Sequence, residues 1–318
     1  MTAPRRIVHP GPEAAQRSCV APARAVPLDF TVPAGEIVNA GIAAGLAAAG
    51  CDGAWVDLSC GRFAPFRYVM PAGSPGPSHA AWYSETFAPE GIVTVEAAGA
   101  IVGWRDGEPF LHCHGIWTDP AGDRAMGHML PLDTRTATPL RVRGTGLVGA
   151  SFVARHDAET NFTLFAAETI PRDGLSGSAN GDGPRALAVT LRPNQDVGTA
   201  IAAICAERGI ADARLFGIGS LNGGRFTNGP AMDSYASELL IRDGRIEVGR
   251  IAAAARRQRG GDGRHDLRGP ARPWRQSGLR DLRTGDPASR RVRRVRLAPG
   301  RKLRRRWIER AAGSFSRS

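Results

Sequence analysis

Two stretches of this 318-residue chain repeat the same order of residues. Pro33, Glu36, Ile37 and Ala40 recur at an offset of 160 as Pro193, Asp196, Val197 and Ala200. Gly61-Arg62-Phe63 recurs as Gly224-Arg225-Phe226, and Ser84-Glu85, Gly91 and Val93 recur at an offset of 153 as Ser237-Glu238, Gly244 and Ile246. An internal duplication means one supersecondary unit folded twice, which excludes a single small module. Residues 1–24 are rich in Pro, Ala and Arg without periodicity and read as a flexible leader. The first copy spans 25–168, a Gly/Ser/Asp-rich linker spans 169–183, and a second, incomplete copy spans 184–250. An Arg-rich tail over 251–318 ends the chain.

Within the first copy, Ala25–Val32 reads as a strand, and Glu36–Ala49 as a helix, with apolar residues at Ile37, Ala40, Ile42, Ala44 and Leu46 and a stop at Gly50. Short strand segments follow at 54–58, 92–100, 110–117, 125–132 and 140–154, most of them separated by Gly, Pro or Asp. The pattern is α+β, strand-rich with one main helix per copy.

The charge is as unevenly placed as the repeat. Residues 251–318 hold 20 Arg and one Lys against five acids, a balance of +16, while residues 1–250 hold 21 Arg against 25 acids, or −4. Attraction to phosphate therefore rests on the tail alone, as non-specific DNA binding through residues 251–318. The tail reads either as a genuine solvated basic segment or as a frameshift product, since GC-rich DNA read out of frame yields Arg, Gly and Pro where a repeat breaks mid-unit. Five cysteines without a CxxC spacing support neither a disulfide framework nor a four-thiolate zinc site. No secretory signal and no apolar run of about 20 residues is present. The expectation is a cytoplasmic protein with no membrane partner.

The chemistry concentrates in Phe110-Leu-His-Cys-His-Gly-Ile-Trp117, followed by Thr-Asp-Pro-Ala-Gly-Asp and then Arg124-Ala-Met-Gly-His-Met-Leu130. Strand side chains alternate faces, so His112 and His114 share one side and Cys113 takes the other. Asp119 to Asp123 has the composition of a hairpin turn, and a hairpin centred near Ala121 sets His128 opposite His114. Directly paired strand positions lie about 5 Å apart, which suits three nitrogens converging on one metal ion, each about 2.1 Å from it. Three His with an open fourth position is the pattern of a catalytic rather than a closed structural site. The alternative is three hydrogen-bonded sheet histidines gathered by chance.

The strings FLHCHGIWTDPAGDRAMGHML and, upstream, PAGEIVNAGIAAGLAAAGCDGAWVDLSCGRF resemble the plants-and-prokaryotes conserved (PPC) domain, over about residues 25–168 and again over 184–250. The HxH followed by GH is the most specific part of the resemblance. It implies an α+β fold, a mostly antiparallel sheet with one main helix, that assembles as a trimer or, with two copies in tandem, a pseudo-trimeric assembly. It also implies zinc or another divalent metal on His112, His114 and His128, with an unknown small ligand, while the prokaryotic activity is unsettled and the enzyme class stays open. Plant relatives add an AT-hook and bind AT-rich DNA. Here the nearest string, Arg268-Gly-Pro-Ala-Arg-Pro273, interrupts the needed Arg-Gly-Arg-Pro core. At the offset of 153 the second copy has His265 but Leu267, so no second site is expected.

Weaker candidates remain. Gly217-Ile-Gly219-Ser-Leu-Asn-Gly223-Gly224 could cradle an anion but more simply makes a turn. Arg62, Arg225, Glu85 and Glu238 stand in repeated positions and read as structural, although Arg62 could face an anionic ligand near the metal. Ser59 beside Cys60 has no base visible in sequence, so nucleophilic catalysis has no support.

Overall fold

The computed structural model describes residues 6–171, 184–226, 229–247, 250–257, 306–309 and 311–312. Strand β1 (Ser18–Val32) leads into helix α1 (Val38–Ala48) and strand β2 (Gly53–Asp57). Four short strands follow: β3 (Arg62–Phe63), β4 (Tyr68–Val69), β5 (Pro71–Ala72) and β6 (Trp82–Tyr83). The long hairpin strands are β7 (Val93–Arg105), β8 (Glu108–Thr118) and β9 (Arg124–Met129), and β10 (Leu140–Val148), β11 (Ala150–Asp157) and β12 (Phe162–Thr169) complete the first half. The second half runs β13 (Arg185–Leu191), α2 (Val197–Glu207), β14 (Asp212–Leu221), β15 (Gly224–Phe226), β16 (Gly229–Met232), β17 (Ser237–Glu247) and β18 (Arg250–Arg257). Two short strands, β19 (Arg306–Glu309) and β20 (Ala311–Ala312), pair in parallel with β14 and β13.

The architecture is mostly antiparallel sheet with two helices, an α+β fold. The larger sheet has the order β20-β13-β1-β10-β2-β7-β8-β9-β4, and the smaller has the order β18-β17-β14-β19. Helix α1 buries Val38, Ile42 and Leu46, which lie four residues apart on one stripe. That stripe packs on one face of the large sheet with Val56, Ala100, Val102, Leu111 and Cys113. The opposite face carries Trp55, Ile101, Ile116 and Leu147, which pack against Phe216, Ile218 and Leu240 of the small sheet. Helix α2 then covers the far side of the small sheet through Ile201 and Ile204 against Leu215, Ile241 and Ile246. The layers run helix, sheet, sheet, helix, and the middle layer is the seam between the two halves. Among the described residues, no helix is long and apolar enough to cross a membrane.

The helix expected at Glu36–Ala49 is present over Val38–Ala48, and Gly50 ends it with φ of 64°. The expected single strand 140–154 divides at Gly149 into β10 and β11. Of the stretch read as a flexible leader, the described residues 6–24 are docked instead. Residues Ser18–Arg24 pair with β13, so β1 begins seven residues before the expected start. The Arg17 guanidinium donates to both Glu159 carboxylate oxygens (2.6 and 3.1 Å) and to the Pro193 carbonyl (2.6 Å), tying the segment to both halves. The irregular composition of this segment hides a strand whose partner lies in the other half. Strand pairing in the second half likewise runs past Arg250, because β18 continues against β17 to Arg257. The linker at 172–183 and most of the tail, including His265 and Leu267, lie outside the described residues.

Candidate metal centre

Strand β8 is where the site begins. Asn39 on α1 donates to the Pro109 carbonyl (2.9 Å) and accepts from the Leu111 N–H (3.1 Å), which pins the strand's start against the helix. From there the pleat alternates: Leu111 and Cys113 enter the core under α1, and His112 and His114 face the seam. The Cys113 thiol is buried and its pKa is pushed up, first by burial and then by the Asp57 charge, so it stays a neutral core group.

The turn expected at Asp119–Asp123 is closed by Asp123 N–H donating to the Asp119 carboxylate (2.8 Å) and Gly122 N–H donating to the Asp119 carbonyl (3.0 Å). That turn sets the register in which His114 and His128 are direct partners across β8 and β9. The structure therefore brings together the three histidines singled out in the sequence. One ligand atom from each lies within 4.8 Å of the others, and all three residues are buried. Ring centroids are separated by 4.4 Å for His112 and His128, 4.6 Å for His112 and His114, and 5.7 Å for His114 and His128. The Nε2 atoms of His112 and His114 stand 2.9 Å apart. The Tyr83 ring meets His128 edge-on at 5.9 Å.

Burial keeps two of these rings, His112 and His128, uncharged. Desolvation, followed by the charges of His128 and His114, holds His112 well below the usual imidazole range, and desolvation together with His114 pushes His128 down to about 3. A neutral imidazole has a free lone pair, which is the form that binds a metal. Two of the rings also lack hydrogen-bond partners at one nitrogen each. The Nδ1 atoms of His112 and His128 are buried and have no hydrogen-bond partner among the described residues. Native proteins rarely leave such groups unsatisfied, since each costs about 1–3 kcal/mol.

The seam adds a residue that sequence reasoning assigned elsewhere. Glu238 opens β17, and its Oε2 lies 2.9 Å from His114 Nδ1, with both side chains 1% exposed. The Leu239 carbonyl lies 3.2 Å from the same nitrogen. The repeat at offset 153 pairs Glu238 with Glu85, yet Glu85 is exposed in the segment after β6, so the two do not occupy like positions. Only the apolar run that follows Glu238, Leu-Leu-Ile, signalled that the carboxylate sits on a buried strand. Gly99, opposite His114 on β7, makes room for the approach: a Cβ there would stand 2.9 Å from Leu240 Cδ1 and 3.2 Å from the Trp55 ring. Beside it Trp55 stacks on Phe216 at 4.6 Å, and Arg242 reaches Asp57 at 3.1 Å.

Other candidates lie apart from the cluster. Arg62 is exposed on β3, and the Arg225 side chain is outside the described set. Gly217 and Gly219 fall inside β14 rather than in an anion-cradling turn. The Ser59 N–H and hydroxyl both donate to the Asp57 carboxylate, a local turn contact away from the histidines. Strand β18 carries alanines at 252–255 and no histidine.

No family model matches the chain, and no curated protein does. Solved structures provide the similar folds. A plant- and prokaryote-conserved (PPC) protein of Pyrococcus horikoshii is 18% identical, covering 48% of this chain and 96% of that protein, with a TM-score of 0.37. A metal-containing protein of Archaeoglobus fulgidus is 16% identical, covering 44% of this chain and 92% of its own, with a TM-score of 0.36. A candidate DNA-binding protein of Ralstonia eutropha is 16% identical, covering 45% and 90%, with a TM-score of 0.32. Over about half of its length, this chain is similar to PPC proteins.

Proposed function

We propose that His112, His114 and His128 hold one divalent metal ion, zinc or a close analogue, with a fourth position left for a small ligand or substrate. The observation that carries this reading is the convergence of three buried imidazoles, two of them held neutral by burial, at a seam with unsatisfied nitrogen atoms. When bound at such a site, a divalent ion polarises a ligand's oxygen or acidifies a bound water. The chain's own part is to keep the rings neutral, aim them at one point and exclude bulk water. The second half, read from the sequence over residues 184–250, is taken as a further, incomplete PPC-like domain that meets the histidine face through Glu238 and Leu239. The order strand, helix, strand in β13-α2-β14 supports this, since it follows β1-α1-β2.

Metal analysis of the purified chain tests the reading. About one equivalent of ion per chain is expected, and metal-free protein at neutral pH after exposure to zinc overturns it. The charge contrast between residues 251–318 (+16) and the rest (−4) favours a second reading, DNA association through that tail. That binding is expected to be indifferent to sequence and to fall steeply with salt. A chain truncated after Arg257 then loses it while keeping its metal.

A further inference from the structure

We propose that Glu238 is a positioning residue for the histidine cluster: from the second half of the chain, its carboxylate holds His114 in the tautomer and orientation that turn Nε2 toward His112 and His128. The inference rests on the metal reading above and goes beyond it by making the site composite, with nitrogen donors from one half and their orienting carboxylate from the other.

Three observations carry it. First, His114 Nδ1 faces two oxygens, Glu238 Oε2 at 2.9 Å and the Leu239 carbonyl at 3.2 Å. A carbonyl oxygen can only accept, so Nδ1 carries the proton, and in the neutral ring Nε2 then presents its lone pair. Second, that Nε2 is the atom pointing into the cluster, 2.9 Å from His112 Nε2. Third, Glu238 is a buried carboxylate with thin compensation. Its side chain is 1% exposed, and among the described residues its partners are His114 and the Ser220 hydroxyl at 3.5 Å. A buried carboxylate is normally matched by a cation or by several donors. Neither Arg nor Lys is paired with it among the described residues, and a divalent ion on the far side of the His114 ring would supply the matching positive charge. Carboxylate, histidine and metal in line is an arrangement in which the outer group fixes the ring and raises its basicity as a donor.

The test uses the full chain and zinc alone, with affinity read by competition against a chromophoric chelator. Wild type is expected to bind tightly, His128→Ala to lose binding, and Glu238→Gln to bind roughly 10–100-fold more weakly. The cobalt-loaded Glu238→Gln protein is also expected to show a shifted visible spectrum, which a merely structural contact would not produce. Equal affinity and an unchanged spectrum in Glu238→Gln, with His128→Ala still defective, overturns the role of Glu238 and leaves the metal site standing. A wild type that binds no metal removes both. Should Glu238→Gln not fold, wild-type protein labelled with ¹⁵N decides by NMR: His114 protonated at Nδ1 and bare at Nε2 supports the inference, and the opposite tautomer defeats it.

Discussion

Strands β8 and β17 face each other across one seam and contribute opposite chemistry to it. Strand β8 presents His112 and His114, and the start of β17 presents Glu238, while β18 is an alanine run ending in arginine. The hairpins β7–β8 and β17–β18 each have a register shift in the long strand, between Val95 and Ala97 in one and between Ile241 and Gly244 in the other. Backbone of one kind therefore serves two purposes, and what differs is which side chains the pleat turns toward the middle layer. The second sheet covers the cluster at His114, while Tyr83 of the first half stands against His128.

The sharpest way to break the contrast is to remove a nitrogen donor. His128→Ala is expected to take metal content from about one equivalent to none, measured by elemental analysis. The opposite manipulation, adding histidines to β18, has no counterpart of β9 to complete a trio.

A second expected effect lies in the seam itself. Trp55→Ala removes a large buried ring and its stacking on Phe216, and is expected to cost about 3–5 kcal/mol in denaturant unfolding. A double-mutant cycle with Phe216→Ala should return a coupling of about 0.5–1.5 kcal/mol; additive effects would show that the halves touch there without mutual support.

A smaller effect separates the two helices. Asp196 caps α2 by accepting from the Thr199 N–H at 2.7 Å, whereas Ile37 at the start of α1 provides no side-chain cap. Asp196→Ala is therefore expected to lower stability by about 1 kcal/mol. Thermal melting checks it, and no comparable loss is expected from Ile37→Ala through capping.

The smallest expected effect is local, at the rim where residues 6–17 clamp both halves. Burial would raise the Glu159 pKa, but the Arg17 hydrogen bond, the Ala14 N–H and the charges of Arg17 and His9 outweigh it and hold the carboxyl below its ordinary 4.5. A depressed carboxyl stabilises the fold above its unfolded pKa, and that contribution fades as pH falls through the folded value. His9, held below its ordinary 6.5 chiefly by burial, acts in the same sense: as pH drops below 6.5 the unfolded form takes up the proton first. Protection factors for hydrogen exchange in residues 6–17 should therefore fall on acidification below about pH 5 before those of the cores, and Glu159→Gln should lower them already at neutral pH.

Much of the site was legible in the sequence because it is local. The alternation 112, 113, 114, the turn at Asp119–Asp123 and the equal distance of His114 and His128 from Ala121 are short-range facts, and short-range periodicity is what a single sequence shows well. Helix α1 was legible for the same reason. Glu238 was not, since its meaning depends on contact with His114, and an apparent repeat match drew it toward exposed Glu85. The first half of β1 and the run of β18 were hidden alike: small alanines give a weak apolar signal of their own, and their strand character comes from partners found only in the folded sheet.

The separation of 125 residues between His114 and Leu239 also has a consequence in time. A ribosome releases the imidazole trio well before it releases the strand that covers and orients it, and domains fold as units in the order of their synthesis. During that interval the histidine face is a solvent-open surface, and Gly99 leaves its centre without a side chain to shield it. Closure over the three histidines thus waits on docking of the second sheet, which supplies Glu238 and the Leu239 carbonyl.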